Sequence, residues 1–345
     1  MITVAHLARA AGVALISTLP LLVACDRDER AAPFETYLQR LGRTLDVQVP
    51  APATPALPVA PRAAKLKLPV TPGNLGALDF LAISGCAVQV TIGKRNSSLG
   101  RMARDSQRLL LELEYLALAP DCIAYQRDQG NDELADTLEE AWRLKHQQLP
   151  HRIFNATLGG QEYREFWRAR VPDAAYPTTA GSQVITALEA INGLTSRWLS
   201  GDYRADNLEF ELLLSTVASG DGGQLMTALA LQDQWLTAAD RLLQQRMQRQ
   251  PLCAPGYRDP AADILDNVIK KFFIGALQGD AAALGSRFHT LLPPLSTLES
   301  RLNTVLPEQY TTWQAQRDAI LREFAAAPRR HVEQLKLLRA PCETG

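Results

Sequence analysis

The chain has 345 residues, 46% of them hydrophobic and 21% charged, with a formal net charge of −1. That length is enough for a large buried core in one or two domains. Near-neutrality without a basic block excludes a nucleic-acid partner attracted by charge.

Residues 1–24 read as a secretory signal. Arg9 and the amino terminus carry the positive charge, and Ala10 to Ala24 form the apolar stretch. A membrane-crossing helix needs about 20 apolar residues; this run is bounded by Arg9 and by Asp26-Arg27-Asp28-Glu29-Arg30 and falls short. Leu22-Val23-Ala24-Cys25 resembles the bacterial lipoprotein signal, in which the cysteine receives a diacylglyceryl group and the chain is cut just before it. Cys25 is then the lipidated first residue of the mature protein, and the implied partner is a membrane. Each buried methylene adds about 0.8 kcal/mol, and two or more acyl chains hold stably where one holds marginally. A plain cleaved signal with a secreted product is the rival, but cysteine stands where the lipoprotein pattern demands it. Asp26 directly after it resembles the signal that retains enteric lipoproteins in the inner membrane, which favours that membrane over the outer one. Processing removes Arg9 and takes the net charge from −1 to −2.

Residues 25–49 are expected to hold the lipidated terminus and one short amphipathic helix, with Phe34, Tyr37, Leu38, Leu41 and Leu45 at helical spacing. The mixed charges of Glu35, Arg40, Arg43 and Asp46 favour docking on the protein body over lying on lipid. Residues 50–73 carry Pro50, Pro52, Pro55, Pro58, Pro61, Pro69 and Pro72, a density that blocks helix and favours extended chain. As a free spacer this segment would reach at most about 70 Å; Leu57, Val59, Leu66 and Leu68 favour its partial docking instead.

Residues 74–345 are expected to form an all-helical domain, with a division into 74–175 and 176–345 as one option. Leu78, Ala82, Cys86 and Val90 mark one face of a first helix, broadened by Leu81 and Val88. A loop from Gly93 to Gly100 follows. Then come a helix through Leu109, Leu110, Leu113, Leu116 and Ala117 that Pro120 ends or kinks, and one from Asn131 to about Gln148. Further helices are expected over Val184–Trp198, through Leu208, Leu212, Leu213 and Val217, over Leu225–Arg249, and over Ala261–Gln278 after Pro260 with Asp259 as cap. Another starts near Asp280 and runs into Pro293-Pro294, and Glu308–Ala327 and Arg329–Arg339 close the chain. No alternating strand run with hairpin turns is present, so the fold class is all-α: a multi-helix bundle-like body behind a proline-rich segment and a lipoprotein signal.

With Cys25 set aside, Cys86, Cys122, Cys253 and Cys342 remain, an even number suited to an oxidising compartment. Sequence order favours Cys86 with Cys122 and Cys253 with Cys342, each bridge contributing roughly 2–4 kcal/mol. An ideal hairpin of residues 76–93 and 105–119 would leave Cys86 about 10 Å and Cys122 about 25 Å from the turn, so the first pair needs a bent helix or a long connection. Buried free thiols are the alternative, and no CxxC spacing points to a metal.

The string Leu78-Asp79-Phe80, Cys86, Arg95-Asn96-Ser97-Ser98-Leu99-Gly100, Ser106-Gln107-Arg108-Leu109, Cys122 and Phe154-Asn155-Ala156-Thr157 resembles a proteobacterial lipoprotein family catalogued as domain of unknown function 3080. The resemblance covers most of the mature chain and implies a lipid-anchored envelope protein. It carries no assigned activity and no catalytic residues.

Chemical motifs are few. Ser219-Gly220-Asp221-Gly222-Gly223 lacks the spacing of a phosphate loop and reads as a helix connector. His146, His151, His289 and His331 stand outside any HExxH and read as solvated or singly hydrogen-bonded. Glu112, Glu114 and Glu139-Glu140 read as solvated helix positions, and no GxSxG elbow exists. Asn155-Ala156-Thr157 formally matches a glycosylation acceptor, idle in a bacterial setting. Arg95, Asn96, Ser97 and Ser98 form the one polar cluster of note. They can make an anion or peptide site where the next helix begins, or they can satisfy the orphan backbone groups of two helix ends, the commoner use of such residues. The expected function is a non-enzymatic, lipid-anchored envelope protein that binds or scaffolds an envelope partner, without metal or cofactor. The alternative is a small-ligand binding or sensing module with a pocket between helices.

Overall fold

The computed structural model describes residues 29–71 and 77–343. The described residues begin with α1 (Ala31–Leu45), followed by an extended proline-rich run holding one turn of helix, α2 (Ala63–Leu66). In place of one helix over the first apolar stripe stand two, α3 (Ala77–Ala82) and α4 (Val88–Asn96). The chain breaks between them at Gly85, whose φ of +93° disfavours any residue with a Cβ. A short turn, α5 (Ser98–Met102), leads into α6 (Asp105–Asp128), α7 (Asp132–Gln147), α8 (Leu149–Ala156) and α9 (Gln161–Phe166). Then come α10 (Gln183–Leu199), α11 (Asn207–Ala218) and α12 (Gly222–Arg249). Two-residue strands β1 (Cys253–Ala254) and β2 (Tyr257–Arg258) pair antiparallel, with Cys253 opposite Arg258. After α13 (Ala261–Val268) and a π-helical turn over Ile269–Ile274, the chain ends in α14 (Gln278–Arg301), α15 (Glu308–Ala325) and α16 (Ala327–Glu343). The all-α class holds.

Several boundaries differ from expectation for physical reasons. Pro120 lies inside α6 without ending it. Its missing N–H leaves the Leu116 carbonyl without its i+4 donor, and the Trp142 indole N–H from α7 donates to that oxygen at 3.0 Å. Pro293 and Pro294 also sit within α14, where their missing N–H groups leave the His289 and Thr290 carbonyls without helical donors, and the Asn192 amide from α10 donates to the Pro294 carbonyl at 2.7 Å. Asp259 caps α13 as expected, accepting from the Ala261 N–H at 2.9 Å. Two apolar stripes turn inward only in part, Val88 and Val217 as expected but not all of their neighbours. Leu81 and Val90 are exposed while Ile83, Val88 and Ile92 are buried, and on α11 Leu208 and Leu212 are exposed while Phe210, Leu214 and Val217 are buried.

Both cysteine pairs form, Cys86–Cys122 with Cα atoms 5.5 Å apart and Cys253–Cys342 at 4.9 Å. The geometric mismatch of a simple hairpin disappears because α4 runs on to Asn96 and α5 occupies the connection. Cys86, just before α4, is thereby carried back along α6 to the level of Cys122.

The proline-rich run is strapped to the body. Leu66 is buried, and Leu57 and Leu68 pack on the largest core, whereas Val59 stays exposed. Asn155 of α8 fixes the strap in the way a neighbouring strand would: it accepts from the Leu68 N–H at 2.8 Å and donates to the Leu68 carbonyl at 2.9 Å. Lys67 pairs with Asp105 at 2.8 Å.

The largest core joins α6, α8, α9, α10, α11, α14 and α15 to the first half of α12, and so draws on both sides of position 176. A second core forms where α1, α13 and α16 close over the rest of α12, from Leu236 to Leu243. Helix α1 docks through Tyr37, Leu38, Leu41 and Leu45, all buried. A third, smaller core gathers Ile83, Val88 and Ile92 against Tyr115, Ala119 and Leu138 of α6 and α7.

Candidate functional site

The segment from Lys94 to Arg101 is first of all a joint between helices. Ser97 is the N-cap of α5: its Oγ accepts from the Gly100 N–H at 3.0 Å and donates to the Lys94 carbonyl at 2.7 Å. Arg101 donates to the Asn96 carbonyl at 2.6 Å. Only glycine fits at position 100, where a Cβ would lie 2.2 Å from the Lys94 carbonyl oxygen. Asn96, Ser97 and Ser98 are exposed, and Ser97 and the Asn96 backbone satisfy helix ends, as such residues commonly do. Arg95 alone turns inward, toward α6.

Its partner is Glu112, which the charge pattern suggests is solvated and which is in fact 1% exposed. Arg95 Nε donates to Oε1 of Glu112 at 2.6 Å, Arg152 Nη2 from α8 approaches the same oxygen at 3.4 Å, and Lys145 Nζ from α7 donates to Oε2. Burial alone would raise the Glu112 pKa, but the charges of Lys145, Arg152 and Arg95 outweigh it and hold the carboxyl below its usual range. Burial pushes the Lys145 ammonium the other way, below the usual lysine range, despite Glu112. The sequence does carry a signal for this burial: Glu112 falls on the stripe Leu109, Leu113, Leu116, not opposite it.

Two cavities flank this joint. A small one of about 50 Å³ is lined by Thr91, Ile92, Arg95, Asn96, Tyr115 and Lys145, among others. On the other side runs an open groove of about 740 Å³, with Leu110, Leu111 and Leu118 of α6 among its lining, Leu99 and Tyr203 beside them, and Lys94, paired with Glu114 at 3.0 Å, at its polar margin. Leu99 is 85% exposed and its neighbour Met102 on α5 is 87% exposed.

Other buried polar clusters among the described residues have partners that sequence reasoning did not bring together. Glu299 of α14 accepts from Tyr163 at 2.9 Å, Tyr310 at 2.6 Å, Gln314 at 2.8 Å and both Arg317 terminal nitrogens at 2.8 and 3.0 Å. The Arg317 guanidinium lies 4.8 Å from the ring centroids of both Trp167 and Trp313. Asp221 is forked by Arg287 at 2.6 and 2.9 Å and accepts from Tyr176 at 2.8 Å. His331, expected to be solvated or singly bonded, is fully buried and held on both ring nitrogens, by Tyr37 Oη at 2.7 Å and Asp240 Oδ1 at 2.6 Å. It locks α1 and α16 onto α12. His146 stacks on Trp142 with ring centroids 5.3 Å apart.

Among the described residues, no group of three or more His, Cys, Asp or Glu could hold a metal ion, and no helix is long and apolar enough to cross a membrane. The signal over residues 1–24, Cys25 and Asp26 lie outside the described residues.

The fold and its joint define a disulfide-bridged, all-helical body with a groove and a cation-rich cavity on either side of the RNSSLG turn. The chain belongs to the family described as "Protein of unknown function (DUF3080)", which it matches over residues 34–344. No curated protein and no solved structure matches it.

Proposed function

We propose that this chain is a lipid-anchored envelope protein whose helical body binds a protein partner without turning over a substrate. The signal ending at Cys25 supports the anchor, and the two bridges, Cys86–Cys122 and Cys253–Cys342, fit an oxidising compartment outside the cytoplasm. Asp26 favours the inner membrane. The observation that carries the binding role is the open groove with its leucine floor, beside Leu99 and Met102, two aliphatic side chains held almost wholly in water. The occupant this surface fits is an apolar segment of an envelope protein.

A photo-crosslinker placed at Leu99 in the intact envelope is expected to give a discrete protein adduct that one at exposed Val332 does not, and Leu99→Asp at the groove should abolish growth of an adduct from Met102. Equal labelling from Leu99 and Val332 overturns the docking role. Cys25→Ser is expected to release the protein from membranes, and wild-type retention of that variant overturns the anchor.

A second reading, a small-ligand binding or sensing module, is favoured by the small cavity lined by Arg95, Lys145 and Thr91.

A further inference from the structure

The cluster around Glu112 is unbalanced. Three cations, Arg95, Lys145 and Arg152, converge on one carboxylate. The side chains of Lys145 and Arg152 are only 5% and 7% exposed, and that of Arg95, at the rim, is 29% exposed. The next carboxylate along, Asp105, is committed to Lys67 at 2.8 Å. A buried surplus of positive charge is costly unless something of opposite sign meets it.

Donors are left over on the same side. Thr91 is 1% exposed, and its hydroxyl, which in a helix usually turns back to a carbonyl of the preceding turn, has no hydrogen-bond partner among the described residues. Lys145 has three N–H donors, one of which reaches Glu112. Arg95 uses Nε for Glu112, and its fork offers further N–H donors. Thr91, Arg95 and Lys145 all line the cavity of about 50 Å³, with Asn96 at its edge. That volume holds a few waters or one small polyatomic anion. Water would satisfy the donors but leave the charge unmatched.

We propose that this cavity is a binding site for a small oxyanion, a carboxylate or a phosphate group, held by Lys145, Arg95 and the Thr91 hydroxyl. Charge-assisted hydrogen bonds from an ammonium and a guanidinium suit either group. Arg152 contributes from behind Glu112, holding that carboxylate in place so that the cations stay oriented. The site is independent of the groove: it needs no protein partner, and docking at Leu99 needs no anion.

The test uses the full chain in detergent with both disulfides intact, in chloride buffer at constant ionic strength. Sodium acetate is titrated in one arm and sodium phosphate in the other, with binding heat and thermal midpoint recorded. Saturable binding is expected in at least one arm, and the arm that saturates identifies the group as carboxylate or phosphate. Thr91→Val keeps the side-chain shape and removes a hydroxyl with no partner, so it should leave the anion-free midpoint unchanged while weakening binding roughly tenfold or more. Arg95→Lys keeps the charge and loses the fork, and should weaken binding without unfolding the protein. Absence of saturable binding in both arms, or wild-type affinity in Thr91→Val, overturns the site.

Discussion

Glu112 and Glu299 are both buried carboxylates in the same chain, and they are neutralised in opposite styles. Around Glu299 one guanidinium makes two contacts, two tyrosine hydroxyls and a glutamine amide complete the set, and two tryptophans cover the cation. Around Glu112 three cations compete for two oxygens, beside a small cavity and the Thr91 hydroxyl, which has no hydrogen-bond partner among the described residues. Burial would raise the Glu299 pKa, yet Arg317 and the hydrogen bonds of Tyr310 and Tyr163 hold it below the usual range, as the cations do for Glu112. The difference lies in what remains after the carboxylate is satisfied. A matched knot holds helices together; a surplus leaves something to be bound.

The largest effect should come from the matched knot. Arg317→Leu strands Glu299 in a dry interior and is expected to cost about 3–5 kcal/mol, read as a lowered denaturant midpoint. Lys145→Met leaves Arg95 and Arg152 on Glu112, so its cost should be smaller, on the order of 1–2 kcal/mol. Equal losses in the two variants would break the distinction between matched and surplus charge.

Acid sharpens it further. Each glutamate has a folded pKa below its unfolded value of about 4.3, so each adds stability that is complete above that pH and fades as pH falls through the lowered value. Arg317→Leu removes the main cause of the Glu299 depression and should move acid unfolding to a higher pH. Lys145→Met should move it less, a ranking that pH titration of the circular dichroism signal can check.

A hydrogen bond outside both knots sets the scale for an ordinary loss. Trp142→Phe deprives the Leu116 carbonyl, already without its helical donor at Pro120, of its remaining donor, and should cost about 1 kcal/mol by chemical denaturation. Smallest of all, Thr91→Val without added anion should stay within about 0.5 kcal/mol of wild type, because the hydroxyl it deletes is bonded to nothing among the described residues.

Much of the helical layout was legible in sequence because it rests on local periodicity: the docking face of α1, the capping of α13 by Asp259, and the order of the cysteines are all short-range patterns. Prolines misled as helix ends: α14 runs on through Pro293-Pro294, and at Pro120 a sequence shows the missing donor but not the neighbouring helix whose Trp142 fills in for it. Leu208 and Leu212 misled because α11 is leucine-rich on more than one side, and only packing decides which side turns in. Within the candidate site, Arg95 was visible as part of a polar string. Its convergence with Lys145 and Arg152 on Glu112 was not, because four residues spread over four helices share a point only after the chain has folded.

Helix α1 is pinned through Tyr37 and His331, and just ahead of it Arg30 donates to the Asp173 and Tyr176 carbonyls at 2.9 and 2.6 Å. Four residues, Asp26 to Glu29, lie between Cys25 and Arg30, so five peptide steps give a leash of at most roughly 18 Å. An acylated Cys25 would therefore leave the bulk of the protein pressed against the leaflet like a buoy on a short chain, so whatever it meets must come down to the lipid surface.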